Sequence, residues 1–92
     1  MKVRLFSLAK YLEKALAQAR FSTDEQGLIV AKVPRASGFF TQGETLEEAR
    51  ENLRDVIEGN VLLALQLGSK IPTIKGVRIV VQKVSATSKN PA

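Results

Sequence analysis

Between Leu8 and Ala19, apolar side chains recur every three or four residues, at Leu8, Tyr11, Leu12, Ala15, Leu16 and Ala19, with Lys10, Glu13, Lys14 and Gln18 between them. That spacing predicts a helix with one apolar face. Ser7 stands where an N-cap hydroxyl would accept from the first turn. The period then shortens. Arg20–Thr23 is followed by the turn-forming run Asp24-Glu25-Gln26-Gly27 and by Leu28–Val33, a β-branched segment closed by Pro34. These two segments predict a hairpin. Pro34–Gly38 turns the chain again and Phe39–Gln42 supplies a third short strand, and connections this short favour antiparallel pairing. Alternation sends one of Phe39 and Phe40 into the core and the other to the opposite face, to be covered by the N-terminal helix or used in a dimer contact.

From Thr45 the helical period returns. Leu46, Ala49, Leu53, Val56, Ile57, Val61, Ala64 and Leu67 form one stripe, and Thr45 with Glu48 fits a capping box. Gly68 sits where a C-cap glycine belongs, with Pro72 beyond it to prevent continuation. Gly59 and Asn60 weaken the middle of this helix, by about 1 kcal/mol for the glycine relative to alanine; a close packing contact would account for it. Gly38 and Gly43 are expected to relieve positive φ at strand ends. Gly76–Val84 alternates, with Val77, Ile79 and Val81 on one side and Arg78, Val80 and Gln82 on the other, and predicts a last strand. The predicted class is α+β in the order helix, three-stranded antiparallel sheet, long helix, fourth strand, α-β-β-β-α-β, with the sheet packed beneath helices.

Length and composition bound this picture. With 92 residues, 45% hydrophobic and 25% charged, the chain makes one globular domain, expected over residues 1–84, with a frayed polar tail over 85–92. A core of this size gives marginal stability, and the short sheet leaves strand edges open, so a homodimer or higher homo-oligomer is expected. The chain has no cysteine and no histidine, so thiolate chemistry, imidazole acid–base work and most transition-metal sites are excluded. Val3 to Phe6 is broken by Arg4, and Lys10 and Glu13 follow soon after, which leaves no secretory or membrane-spanning segment and makes the cytoplasm the expected location. No cofactor is expected, because neither a Gly-x-Gly-x-x-Gly nor a Walker pattern occurs.

The net charge of +5 is unevenly distributed. Glu44–Glu58 holds six acidic against two basic residues, a net −4, which leaves +9 on the remainder. An acidic helix therefore sits on a basic body.

Several of these features, taken in order, resemble the HicB antitoxin family. They are the apolar strand Leu28–Val33, a Pro-containing turn closing on Gly38, the string TQGETLEEA at Thr41–Ala49, a long helix, and the Gly-x-x-Ile-Pro ending at Gly68–Pro72. The likeness extends to the helix Leu8–Ala19 and to Ile74–Val77. It implies a fold like a partial ribonuclease H domain and a non-enzymatic role: binding and occluding a small basic ribonuclease toxin of the HicA type. Many members carry a C-terminal DNA-binding segment. Here eight residues follow Val84, so the expectation is an antitoxin-like core or orphan relative without that module.

The candidate contact is the outer face of the long helix, where Glu47, Glu51, Asp55 and Glu58 gather with Glu48 opposite the apolar stripe. A solvated face is the plain reading. Early acids complement the helix dipole, and the helix-spaced pairs Glu47–Arg50 and Arg54–Glu58 need no partner. Yet five acids exceed what capping needs, and a basic partner would be steered to them. Two other classes compete. A nucleic-acid-binding regulator would use the basic body, although its lysines and arginines are scattered along the sequence and the pair Phe39-Phe40 does not match a stacking platform. A metal-dependent nuclease would need converging carboxylates, but outside the acidic helix only Glu13, Asp24 and Glu25 exist. No catalytic or metal-binding residue is expected on these grounds.

Overall fold

The structure, a computed structural model, describes residues 2–83, with the side chains of Lys2 and Lys83 excepted. The tail expected over 85–92 and the last residue expected in the final strand, Val84, lie outside the described residues. The elements are β1 (Lys2–Leu5), α1 (Leu8–Ala17), β2 (Arg20–Thr23), β3 (Ile29–Lys32), β4 (Phe40–Gly43), α2 (Leu46–Leu67) and β5 (Val80–Lys83). The order from α1 onward is the one the sequence predicts. A strand not predicted, β1, precedes it.

Local chemistry explains where the helices begin and end. The Ser7 hydroxyl accepts from the Lys10 N–H at 3.2 Å and starts α1. At α2 the Thr45 hydroxyl accepts from the Glu48 N–H at 3.0 Å, and the Glu48 carboxylate accepts from the Glu44 N–H at 2.7 Å. The capping box is thus closed one residue further back than its usual N-cap partner. Gly68 ends α2 in the left-handed conformation (φ 68°), and the Ser69 N–H bonds back to the Ala64 carbonyl at 2.8 Å. The Arg4 guanidinium of β1 reaches the same end, donating to the carbonyls of Ala64 and Ser69, where a cation opposes the negative pole of the helix.

β2, β3 and β4 form an antiparallel sheet in sequential order. Asp24 makes its first turn, accepting from the N–H groups of Gln26 and Leu28, both at 2.9 Å, while Gly27 takes φ 84°. The second turn differs from expectation. The positive φ falls on Arg35 (69°), while Gly38 and Gly43 do not adopt it. A left-handed arginine costs roughly 1–2 kcal/mol. Gly43 is required for a different reason: a Cβ there would lie 2.4 Å from the Ala49 amide nitrogen. Gly59 also departs from expectation, because a Cβ there would meet nothing within 4 Å. Its neighbour Asn60 bonds back to the Val56 carbonyl at 2.7 Å.

The core lies between α1, α2 and one face of this sheet. Tyr11, Leu12, Ala15 and Leu16 of α1 meet Ala49, Leu53, Ile57, Val61 and Ala64 of α2, with Ala31, Val33, Ala36, Phe39, Ile71 and Ile74 completing it. Leu46 and Leu67, at the two ends of the predicted stripe, are exposed. The fourth strand does not extend the three-stranded sheet. β5 pairs antiparallel with β1, from Leu5↔Val80 to Lys2↔Lys83, as a separate ribbon. It is shorter than the predicted Gly76–Val84. Val77 and Ile79 pack against the core as approach segments, and Val81, expected on the same apolar side, is exposed.

Tyr11 is wholly buried, edge-on to Phe6 and Phe39, and its hydroxyl donates to the Pro72 carbonyl. Burial pushes its phenol up from 10.0 to about 12. The folded state resists an ionisation that the unfolded chain undergoes near pH 10. The resulting stabilisation is therefore complete below that pH and is lost as pH rises to 12. Over this window the protein is expected to lose roughly 2–3 kcal/mol more stability than Tyr11→Phe, whose side chain cannot ionise. Urea unfolding of both proteins at pH 9.5 and 12 measures the difference, and parallel losses would contradict it.

Candidate functional site

The first half of α2 forms the acidic face. Thr45 sets its start, and the buried positions Ala49, Leu53 and Ile57 turn the intervening residues outward. Glu47, Glu51 and Asp55 are exposed and Glu58 is half-buried. Their spacing of four, four and three residues places them on one stripe, along roughly 16 Å of helix axis. Glu48 is set apart from these four by its role in the cap.

Two arginines temper this face. Arg50 and Arg54 line the same shallow recess as Glu47, Glu48 and Glu51, floored by Leu16. The stripe itself changes character beyond Glu58: continuing at the same spacing it reaches Leu62 and Leu65, 45% and 38% exposed. The outer side of α2 is therefore acidic in its first turns and apolar in its last.

Asp24, one of the three carboxylates outside the acidic helix, is committed to structure. Besides its two turn bonds it accepts from Gln42 Nε2 at 3.1 Å. Among the described residues no three carboxylates are grouped to hold a metal ion, and no helix is long and apolar enough to cross a membrane.

The basic residues are arranged differently from the sequence expectation of scatter. Arg20, Arg35, Lys70 and Lys75 line one groove of about 1130 Å³, and Arg20, Lys32 and Arg35 line an adjoining one of about 560 Å³. The two share Arg20, Pro34 and Arg35, and no carboxylate lines either among the described residues. Phe40 borders the second groove, 62% exposed, while Phe39 is 1% exposed in the core. Of the two fates foreseen for the outward phenylalanine, burial under α1 is not the one realised. The cross-strand register Arg20↔Lys32↔Phe40 sets two cations and an aromatic ring in one row on the outer face of the sheet. The groove cations come from segments up to 55 residues apart, from Arg20 to Lys75, so no local signal in the sequence brings them together.

Comparison with known proteins gives the arrangement its lineage. The UPF0150-like family model matches residues 10–72. The UPF0150 protein ssr1258 of Synechocystis sp. is 43% identical over 35 residues, covering 38% of this chain and 51% of that protein. The chain thus spans about half the length of the curated relative it matches. The crystal structure of TTHA0281 from Thermus thermophilus has a TM-score of 0.69 at 33% identity, covering 79% of this chain and 91% of that one. With a match that runs from α1 through the three-stranded sheet and α2, the chain belongs to the UPF0150-like family.

Proposed function

We propose that this protein is a HicB-like antitoxin or an orphan relative of one, a non-enzymatic cytoplasmic protein that binds and occludes a small basic ribonuclease toxin of the HicA type. The observation that carries the reading is the outer stripe of α2, where Glu47, Glu51, Asp55 and Glu58 stand outside the requirements of the cap and the core. A basic partner is steered to such a stripe, and Leu62 and Leu65 supply apolar area at its end. Membership of the UPF0150-like family and the TQGETLEEA string are consistent with it. Self-association as a homodimer belongs to the same proposal, with exposed Leu63, Leu67 and Val81 as its apolar material.

The test is co-expression of the tagged chain with the small basic reading frame beside its gene. The pair is expected to co-purify at low salt. The triple variant Glu47→Lys/Glu51→Lys/Asp55→Lys is expected to lose the partner while keeping its helical circular dichroism. A pair that separates at about 50 mM salt, or a variant that retains the partner, defeats the proposal. Light scattering on the same samples reads the oligomeric state, and the mass of a single chain at micromolar concentration removes the homodimer.

A further inference from the structure

We infer that the paired basic grooves bind a single, unpaired nucleic-acid strand, with phosphates along Arg20, Lys32, Arg35, Lys70 and Lys75 and a base stacked on Phe40. The inference stands apart from the proposed toxin contact, since the lining of these grooves shares no residue with the acidic recess of α2.

Three observations converge on it. All five cations are exposed, and no carboxylate lines either groove among the described residues, so a polyanion would meet charge of one sign along the whole path. The row Arg20↔Lys32↔Phe40 places an exposed aromatic ring beside two cations on an open sheet face, the combination by which unpaired strands are held through backbone charge and base stacking. Arg35, which lines both grooves, is kept in a left-handed conformation where glycine would fit without strain. Strained backbone of this kind clusters at ligand-binding segments, which points to use of that side chain.

The occupant follows from these features. A duplex keeps its bases stacked away from Phe40, whereas an unpaired strand offers them freely. A second copy of this chain is a poorer match. Its outer sheet face would set these cations against their own kind, and its acidic helix presents Arg50 and Arg54 among the carboxylates.

The probe is a fluorescently labelled 12-nucleotide RNA without secondary structure, titrated with the full chain and read by anisotropy. With five phosphate contacts, log K is expected to fall against log salt with a slope of about −3.5, roughly a hundredfold loss between 50 and 200 mM. Phe40→Ala is expected to weaken binding roughly tenfold with an unchanged slope, because it removes stacking and no charge. Arg35→Gly is expected to weaken binding and flatten the slope by about 0.7, while its thermal midpoint does not fall. Lys10→Ala, which removes an exposed cation outside the grooves, is expected to change neither reading. Absence of binding at 50 mM salt overturns the inference. So does equal weakening by Lys10→Ala, tighter binding of the matching duplex, or retention of full affinity by both groove variants. A salt-sensitive oligomer lost in Arg35→Gly without RNA binding would instead give the grooves to a second copy.

Discussion

Phe39→Ala is expected to lower the stability of this protein by about 3–5 kcal/mol, while Phe40→Ala, one residue on, shifts it by less than about 0.5 kcal/mol. Phe39 is buried beside Tyr11, ring centroids 6.4 Å apart in an edge-on contact, with Ala36 and Val33 in the same cluster. Its removal opens a cavity where α1, α2 and the sheet meet, and backbone bonds on both sides hinder collapse: Val33 N–H to the Phe39 carbonyl and Phe39 N–H to the Ala36 carbonyl, each 2.9 Å. For a domain with a total stability near 5–15 kcal/mol, such a loss leaves a substantial unfolded fraction. Phe40, the first residue of β4, projects to the opposite side and gives up little folded contact. Urea unfolding midpoints of the two variants decide the matter, and similar midpoints would show that the assignment of faces is wrong.

Gly43→Ala is expected to cost about 3 kcal/mol, at the upper end of what overpacking produces. The added Cβ would stand 2.4 Å from the Ala49 nitrogen, 2.8 Å from the Ala49 Cα and 2.9 Å from the Glu48 carbonyl carbon. All three are backbone atoms of the first turns of α2, so no side-chain rotation relieves the overlap. The helix would have to lift off β4, loosening Asn52, whose side-chain amide donates to the Gln42 carbonyl at 2.9 Å. Gly38→Ala provides the control, because its nearest neighbour would be the Asn60 Oδ1 at an ordinary 3.7 Å. If Gly43→Ala unfolds within about 1 kcal/mol of the parent protein, the close approach is not a constraint on the fold.

The features most legible in the sequence are those governed by neighbours a few residues away. Ser7, Thr45, Glu48 and Gly68 act on backbone groups within one turn, so the start of α1 and both limits of α2 follow from short-range chemistry, whereas α1 ends at Ala17, two residues before the expected Ala19. The Asp24–Gly27 turn is legible for the same reason. What escapes is what depends on distant parts of the chain. Lys2-Val3-Arg4-Leu5 alternates polar and apolar positions, but a run of only four does not distinguish a strand from an extended loop, and it becomes a strand because Val80–Lys83 pairs with it. Gly43 looks like a turn glycine until α2 is laid across it. The acidic stripe and the two arginines that share its recess could both be read from helical spacing alone. The basic grooves were invisible because β2, β3, the following turn and the segment after α2 each contribute only one or two cations.

The β1–β5 ribbon has a consequence for the order of events in folding. It joins the two ends of the described chain, so its pairing closes a loop that spans both helices and the three-stranded sheet. Closing so large a loop in an unfolded chain is slow and entropically expensive, whereas a preformed core brings the ends together beforehand. The ribbon therefore zips last, after Arg4 can find the finished end of α2, and it opens first when the protein breathes. Its amides mark the fast-exchanging limit of a molecule whose slowest protons lie under Leu53 and Ile57.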